Sequence, residues 1–89
     1  MKRAHLTIAG RVQGVGFRYA LRSRAASLGV GGWARNRPDG TVEAVLEGPG
    51  DAVDSLVAWC GEGPRGAAVS GLNVRWEEPA GEEPGFRVG

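Results

Sequence analysis

One stretch of this chain combines residue types that could bind an anion. Between Gly10 and Arg18 it reads Gly-Arg-Val-Gln-Gly-Val-Gly-Phe-Arg. Glycines let the main chain turn tightly and bring its N–H groups close to a bound group. An arginine at the start of a helix is unfavourable beside the positive end of the helix dipole, unless an anion lies between them. The pattern therefore predicts a phosphate-binding loop between a strand and a helix.

The predicted ligands of that phosphate are main-chain amides and one guanidinium. The amides belong to Gln13, Gly14, Val15, Gly16 and Phe17, and the guanidinium belongs to Arg18. The planar fork of an arginine can hold two phosphate oxygens together. No Gly-Lys-Ser/Thr sequence follows, so the segment is not a Walker loop. Considered alone, a glycine-rich loop in this position also fits a purely structural turn.

Asn36 is the second candidate for chemistry, because it stands just before the turn Arg37-Pro38-Asp39-Gly40. A carboxamide cannot act as a base near neutral pH, but it can hold a water molecule by donating and accepting hydrogen bonds. A role in stabilising the turn is the alternative that the residues alone leave open.

The remaining chemically active side chains are few. Cys60 lies on the apolar stripe of a helical pattern and is interpreted as a buried packing residue. His5 alternates with core positions of the first strand, so it is expected on the solvent-facing side of the sheet, without a suggested catalytic partner. Because histidine and cysteine occur once each, no metal site is expected. An enzyme with this inventory would work without a covalent intermediate.

The charges are distributed unevenly along the chain. No acidic residue precedes Asp39, so the first part carries a formal charge of +8 and the rest −7, within a total of +1. An electropositive site attracts anionic substrates. For most of the arginines, however, a solvated charged surface is the simpler interpretation, and Arg18 is the exception.

Hydrophobic spacing predicts the elements that must position these residues. Alternation indicates strands over 4–12, 30–37, 41–47 and from Val69 to Trp76, with Trp33 as the apolar anchor of the second strand and a short final strand over 86–88. Helical spacing indicates a helix from Phe17 to Leu28 and a second helix that ends after Cys60, with Asp51 as its N-cap. Residues 77–85 are expected to form an acidic loop.

This order of elements, βαββαβ with a brief extra strand, favours one class of fold. It predicts an α+β, ferredoxin-like two-layer sandwich with an antiparallel sheet and two helices on one face. With 89 residues, the chain is expected to be a single domain over 1–89. No signal peptide or membrane span is apparent, and a lone Cys60 fits a reducing, cytoplasmic environment.

Two motifs in this sequence resemble those of a known family. The segment from Ile8 to Arg18 closely resembles the first signature of the acylphosphatase family, and the segment from Gly32 to Val42, closed by Gly48, is similar to its second signature. In that family the arginine matching Arg18 binds the phosphoryl group with the loop amides, and the asparagine matching Asn36 orients the attacking water.

The resemblance implies hydrolysis of acyl phosphates to a carboxylate and inorganic phosphate, without a metal or organic cofactor. It implies a small-molecule substrate, no nucleic-acid or membrane partner, and a monomer. The alternatives are a non-catalytic anion-sensing module or a domain of the hydrogenase-maturation type. RNA binding is a third class, but no strand carries the aromatic spacing of RNA-recognition modules.

Overall fold

The computed structural model describes residues 1–82 and 85–89. Its strands and helices follow the chain in the order β1 (Lys2–Arg11), α1 (Phe17–Leu28), β2 (Gly31–Asn36), β3 (Val42–Gly48), α2 (Gly50–Cys60), β4 (Ala68–Glu77) and β5 (Phe86–Val88). The acidic loop expected over 77–85 lies partly outside the described residues, and Glu77 itself belongs to β4.

The strands form one sheet in the order β4-β1-β3-β2-β5. Neighbouring strands run antiparallel from β4 to β2, as expected for a ferredoxin-like sandwich. The short β5 is a correction to the purely antiparallel sheet, because it pairs parallel with β2, with Phe86 opposite Gly32. A short strand after β4 can reach the free edge at β2 and cover it, which removes an exposed row of unpaired main-chain groups.

Both helices pack on the same face of the sheet and bury one apolar stripe each. The stripe of α1 consists of Phe17, Leu21 and Ala25, and that of α2 of Val53, Leu56 and Cys60. They meet the alternate residues of the central strands, which are fully buried: Ala4, Leu6, Ile8, Val42, Ala44 and Leu46. Burial of these side chains at about 25 cal/mol per Å² holds the two layers together.

The opposite face of the sheet, here called the open face, carries most of the ion pairs. Arg3 contacts Glu47, Glu77 and Glu82 at 3.0 to 3.3 Å. Its pKa is raised because these hydrogen bonds outweigh the effect of burial, which alone would lower it. Arg3, one of the early cations, is therefore paired with acidic residues from the later part of the chain.

Two local predictions are wrong. Asp51 does not cap α2: the helix begins at Gly50 after Pro49, and Asp51 lies in the first turn, where a carboxylate also favours the helix dipole. Trp33 is not a buried anchor but a partly exposed residue of the open face, next to Arg35 and His5. Alternation in β2 turns Ala34 towards the core instead, and this strand is therefore anchored by a small residue.

Candidate active site

The loop between β1 and α1 has the backbone that its glycines predicted. Gly10, Gly14 and Gly16 all have positive φ, at 117°, 75° and 78°. A Cβ on Gly10 would lie 2.2 Å from the carbonyl oxygen of Ala68 in β4. Glycine is therefore required there for two independent reasons, namely its left-handed conformation and the close approach of the neighbouring strand.

Main-chain donors accumulate at this loop. Gly16 precedes α1 in a left-handed conformation, no side chain caps the helix, and its first turn holds no acidic residue. Among residues 1–82 and 85–89, the N–H groups of residues 13–19 donate no main-chain hydrogen bond of good geometry, although residues 13–16 form turns, and Ala20 N donates to Gly16 O at 3.0 Å. Unsatisfied N–H groups at a helix N-terminus provide a binding site for an anion.

Arg18 lies in the first turn of α1 and is partly buried. Its Nη1 donates a hydrogen bond to the main-chain oxygen of Gly89, which follows β5. Its guanidinium carbon is 5.6 Å from the centre of the Tyr19 ring. The positive group is therefore restrained beside the loop, with further N–H donors available to a ligand.

Asn36 is the last residue of β2 and is exposed. It pairs with Val42 across the hairpin, and Val42 pairs in turn with Ile8 of β1. None of the hydrogen bonds among residues 1–82 and 85–89 engages its carboxamide. The side chain is thus free to hold a water molecule near the hairpin end.

The hairpin beyond Asn36 is closed by several hydrogen bonds. Arg37 N donates to Thr41 O at 2.8 Å, and Gly40 N donates to Arg37 O at 3.1 Å. Asp39 accepts from the Thr41 hydroxyl at 2.6 Å and from its main-chain N–H at 3.0 Å. These two hydrogen bonds lower the pKa of Asp39 and keep its carboxylate charged, and the bond from the Thr41 hydroxyl has the larger effect. Asp39 and Thr41 therefore supply the turn stability that could also have been attributed to Asn36.

The side chain of Gln13 connects the two candidate segments. Its Nε2 donates to Arg37 O at 2.8 Å and to Thr41 O at 3.0 Å. Both donors of the amide are used, which ties the start of the loop to the hairpin that carries Asn36. The sequence identified Gln13 only through its main-chain amide, since nothing in the local pattern shows which distant carbonyls its side chain reaches.

The Gly89 carbonyl is the second feature that sequence reasoning missed. It reaches Arg18 only because β5 pairs with β2, where Gly89 N donates to Ala34 O at 2.8 Å. A main-chain carbonyl carries no residue-type signal, so no sequence pattern could have identified this contact.

His5 lies on the open face and Cys60 is buried in the core, in agreement with their interpretation. On the open face, His5 Nε2 is 2.6 Å from Glu43 and Nδ1 is 3.3 Å from Glu77. Burial raises the pKa of the Cys60 thiol to about 12, which leaves it protonated and unreactive.

The fold and this site define a class of protein: a small α+β domain of ferredoxin-like topology with a glycine-rich loop between its first strand and first helix. The Acylphosphatase family model matches residues 4–88. An acylphosphatase of Roseiflexus is 54% identical over 99% of this chain and 95% of its own length. An acylphosphatase from Thermococcus kodakarensis is 57% identical over 97% of this chain and 93% of its own length.

A solved structure gives the same result. The crystal structure of acylphosphatase from Bacillus subtilis superposes with a TM-score of 0.93 at 35% identity, over 99% of this chain and 98% of that one. The chain belongs to the acylphosphatase family, as its two motifs implied, and it is an acylphosphatase-type hydrolase.

Proposed function

We propose that the protein hydrolyses the carboxyl–phosphate anhydride of acyl phosphates, with the phosphoryl group held by the amides of residues 13–17 and by Arg18. The observation that carries this assignment is the run of main-chain N–H groups that lack a protein hydrogen bond of good geometry, beside the restrained guanidinium. Such donors are suited to a group with three equatorial oxygens, on which negative charge is spread in the transition state of phosphoryl transfer.

In the proposed reaction, the Asn36 carboxamide orients a water molecule for in-line attack on phosphorus. A bond forms between the water oxygen and phosphorus, while the bond between phosphorus and the acyl oxygen breaks. The acyl group leaves as a carboxylate, which needs no acid to protonate it. The proton of the water passes to a phosphoryl oxygen, and inorganic phosphate is the second product.

This assignment extends to the wider properties of the protein. We propose a monomer in the cytoplasm that acts on a small molecule, without cofactor, metal or nucleic acid. The single, buried Cys60 is compatible with a reducing compartment. No helix in the described part of the chain has the length and apolar character needed to cross a membrane.

Turnover of benzoyl phosphate and acetyl phosphate tests the proposal. Arg18→Ala is expected to lower kcat by on the order of 10²-fold or more, because it removes a contact to developing charge. Arg18→Lys is expected to restore little, since an ammonium lacks the planar fork. Arg22→Ala is the matched control, because Arg22 is exposed on the same helix and also lies beside Tyr19, at 5.1 Å.

Two outcomes would contradict the assignment. Near-normal activity of Arg18→Lys would exclude the proposed bidentate role of the guanidinium. Phosphate binding by the unaltered protein without turnover of either substrate would favour the anion-sensing alternative.

A further inference from the structure

A cavity of about 390 Å³ lies at the edge of the sheet formed by β2 and β5. It is lined by Trp33, Ala34, Arg35, Arg87, Val88 and Gly89. Its size is at the lower end of the range for small-molecule sites, about 300–1,000 Å³, and is sufficient for a single ring. None of these residues is among the proposed phosphate ligands, and Gly89 affects that site only by accepting a hydrogen bond from Arg18.

Gly89 places this cavity next to the proposed phosphate site. The residue lines the cavity, and its carbonyl oxygen accepts the hydrogen bond from Arg18. Its N–H donates to Ala34 O at 2.8 Å, so the position of Gly89 against β2 is fixed. A molecule whose phosphoryl group contacts Arg18 therefore has its other end within reach of the cavity.

The walls of the cavity are suited to a flat apolar group. Trp33 presents a partly exposed indole, and Val88 adds aliphatic surface. The Arg35 guanidinium lies 5.5 Å from the centre of the indole and is held by Glu43 Oε1 at 2.7 Å. Guanidinium planes and indole rings both stack on aromatic rings, which favours an aromatic occupant over a small aliphatic one.

We propose that this cavity binds the acyl group of the substrate and gives the enzyme a preference for aromatic acyl phosphates over acetyl phosphate. This inference rests on the proposed function, because it assigns the leaving group of that reaction. The acyl group would be in the cavity in both the ground state and the transition state. The cavity therefore contributes to KM rather than to kcat.

Steady-state kinetics of Trp33→Leu with two substrates test the inference. KM for benzoyl phosphate is expected to rise about five- to tenfold, because a stacked aromatic pair is lost. KM for acetyl phosphate and kcat for both substrates are expected to stay within about twofold, because neither depends on this contact. Trp76→Leu is the matched control, since Trp76 is 52% exposed on β4 at the opposite edge.

Binding of phenylphosphonate and methylphosphonate, measured by calorimetry, provides the same comparison without turnover. If Trp33→Leu weakens the binding of phenylphosphonate but not that of methylphosphonate, the cavity assignment is supported. This holds even if the protein hydrolyses neither acyl phosphate, because a lack of hydrolysis would refute only the proposed function. Equal effects on both phosphonates, or no effect on either, would overturn the cavity assignment.

Discussion

The Arg18 guanidinium in the first turn of α1 donates a hydrogen bond to the main-chain carbonyl of Gly89, which follows β5. The bond joins the cation of the proposed phosphate-binding loop to the edge of the sheet at β5. An unrestrained arginine side chain loses up to about 2 kcal/mol of rotamer entropy when it is ordered. Because Gly89 holds the Arg18 side chain before substrate binds, part of this entropy is already lost in the free enzyme.

Deletion of Gly89 is therefore expected to lower kcat/KM about tenfold, because Arg18 must then be ordered at each encounter with substrate. The measurement is acetyl phosphate hydrolysis by the shortened protein, because Gly89 also lines the cavity proposed to bind an aromatic acyl group. The same deletion in an Arg18→Ala background is expected to have little further effect, since the two changes remove one interaction. Additive losses would show that Gly89 acts independently of Arg18.

Gln13→Met is expected to reduce kcat by about 10- to 10²-fold, because the loop and the hairpin are no longer tied together and small displacements of reacting groups are costly. Methionine retains the length of the side chain but cannot donate to the carbonyls of Arg37 and Thr41. Thr41→Val is the control: it keeps that carbonyl and removes only the hydroxyl bonded to Asp39. Equal losses in both variants would point to a general loosening of the hairpin.

Asn36→Ala is expected to lower kcat by on the order of 10²-fold while inorganic phosphate still binds with near-normal affinity, because the side chain acts on water rather than on phosphate. Product inhibition by phosphate provides the affinity. Asn73→Ala is a matched control on the open face, where Asn73 is exposed in β4. Loss of phosphate binding together with kcat would refute the role in water positioning.

Stability is expected to fall as the pH drops below about 4.5, the ordinary pKa of a glutamate. The pKa of Glu47 is lowered in the folded protein, mainly by the hydrogen bond from Ala80 N–H, although burial alone would raise it. The pKa of Glu43 is lowered mainly by His5, and the pKa of Glu77 is lowered mainly by Arg3. A carboxylate whose pKa is lower in the folded than in the unfolded protein stabilises the fold at every pH above its unfolded pKa. This stabilisation is lost as the pH falls through its pKa in the folded protein.

Urea unfolding at about pH 7 and about pH 3 measures this dependence. Glu47→Gln is expected to destabilise the protein by about 1–3 kcal/mol at neutral pH and to weaken the pH dependence. Glu47 is the strongest test because its side chain is 1% exposed and accepts from Ala80 N and Glu82 N, both at 2.8 Å. Glu62→Gln is the control at an exposed position, and it should change neither the free energy of unfolding at neutral pH nor its dependence on pH.

The Cys60 thiol is expected to resist Ellman's reagent in the native protein at mildly alkaline pH and to react fully after unfolding in urea. Its pKa of about 12 leaves almost no thiolate, and its burial excludes the reagent. The rate of labelling in native buffer is the measurement, and the unfolded protein is the control. Rapid native labelling would show that α2 opens readily.

Local pattern was sufficient to predict much of this molecule. Apolar spacing predicted α1 with its buried Phe17, Leu21 and Ala25, and the glycine spacing predicted the turn of the loop, because both are effects between residues close in sequence. Prediction was weakest at element ends, as at Asp51, where several residues can begin a helix at similar cost.

The sequence by itself predicted the candidate groups, namely the glycine loop and Arg18 for a phosphate and Asn36 for a water molecule, and residue type set their local conformations. Only the tertiary structure decided how these groups are held, through Gln13 bonding to Thr41 and through Arg18 bonding to Gly89. These contacts depend on strand register and on the parallel pairing of β5, which follow from the packing of the whole sheet. Main-chain oxygens accept both hydrogen bonds. Because every residue has such an oxygen, these two contacts could not be predicted from residue type.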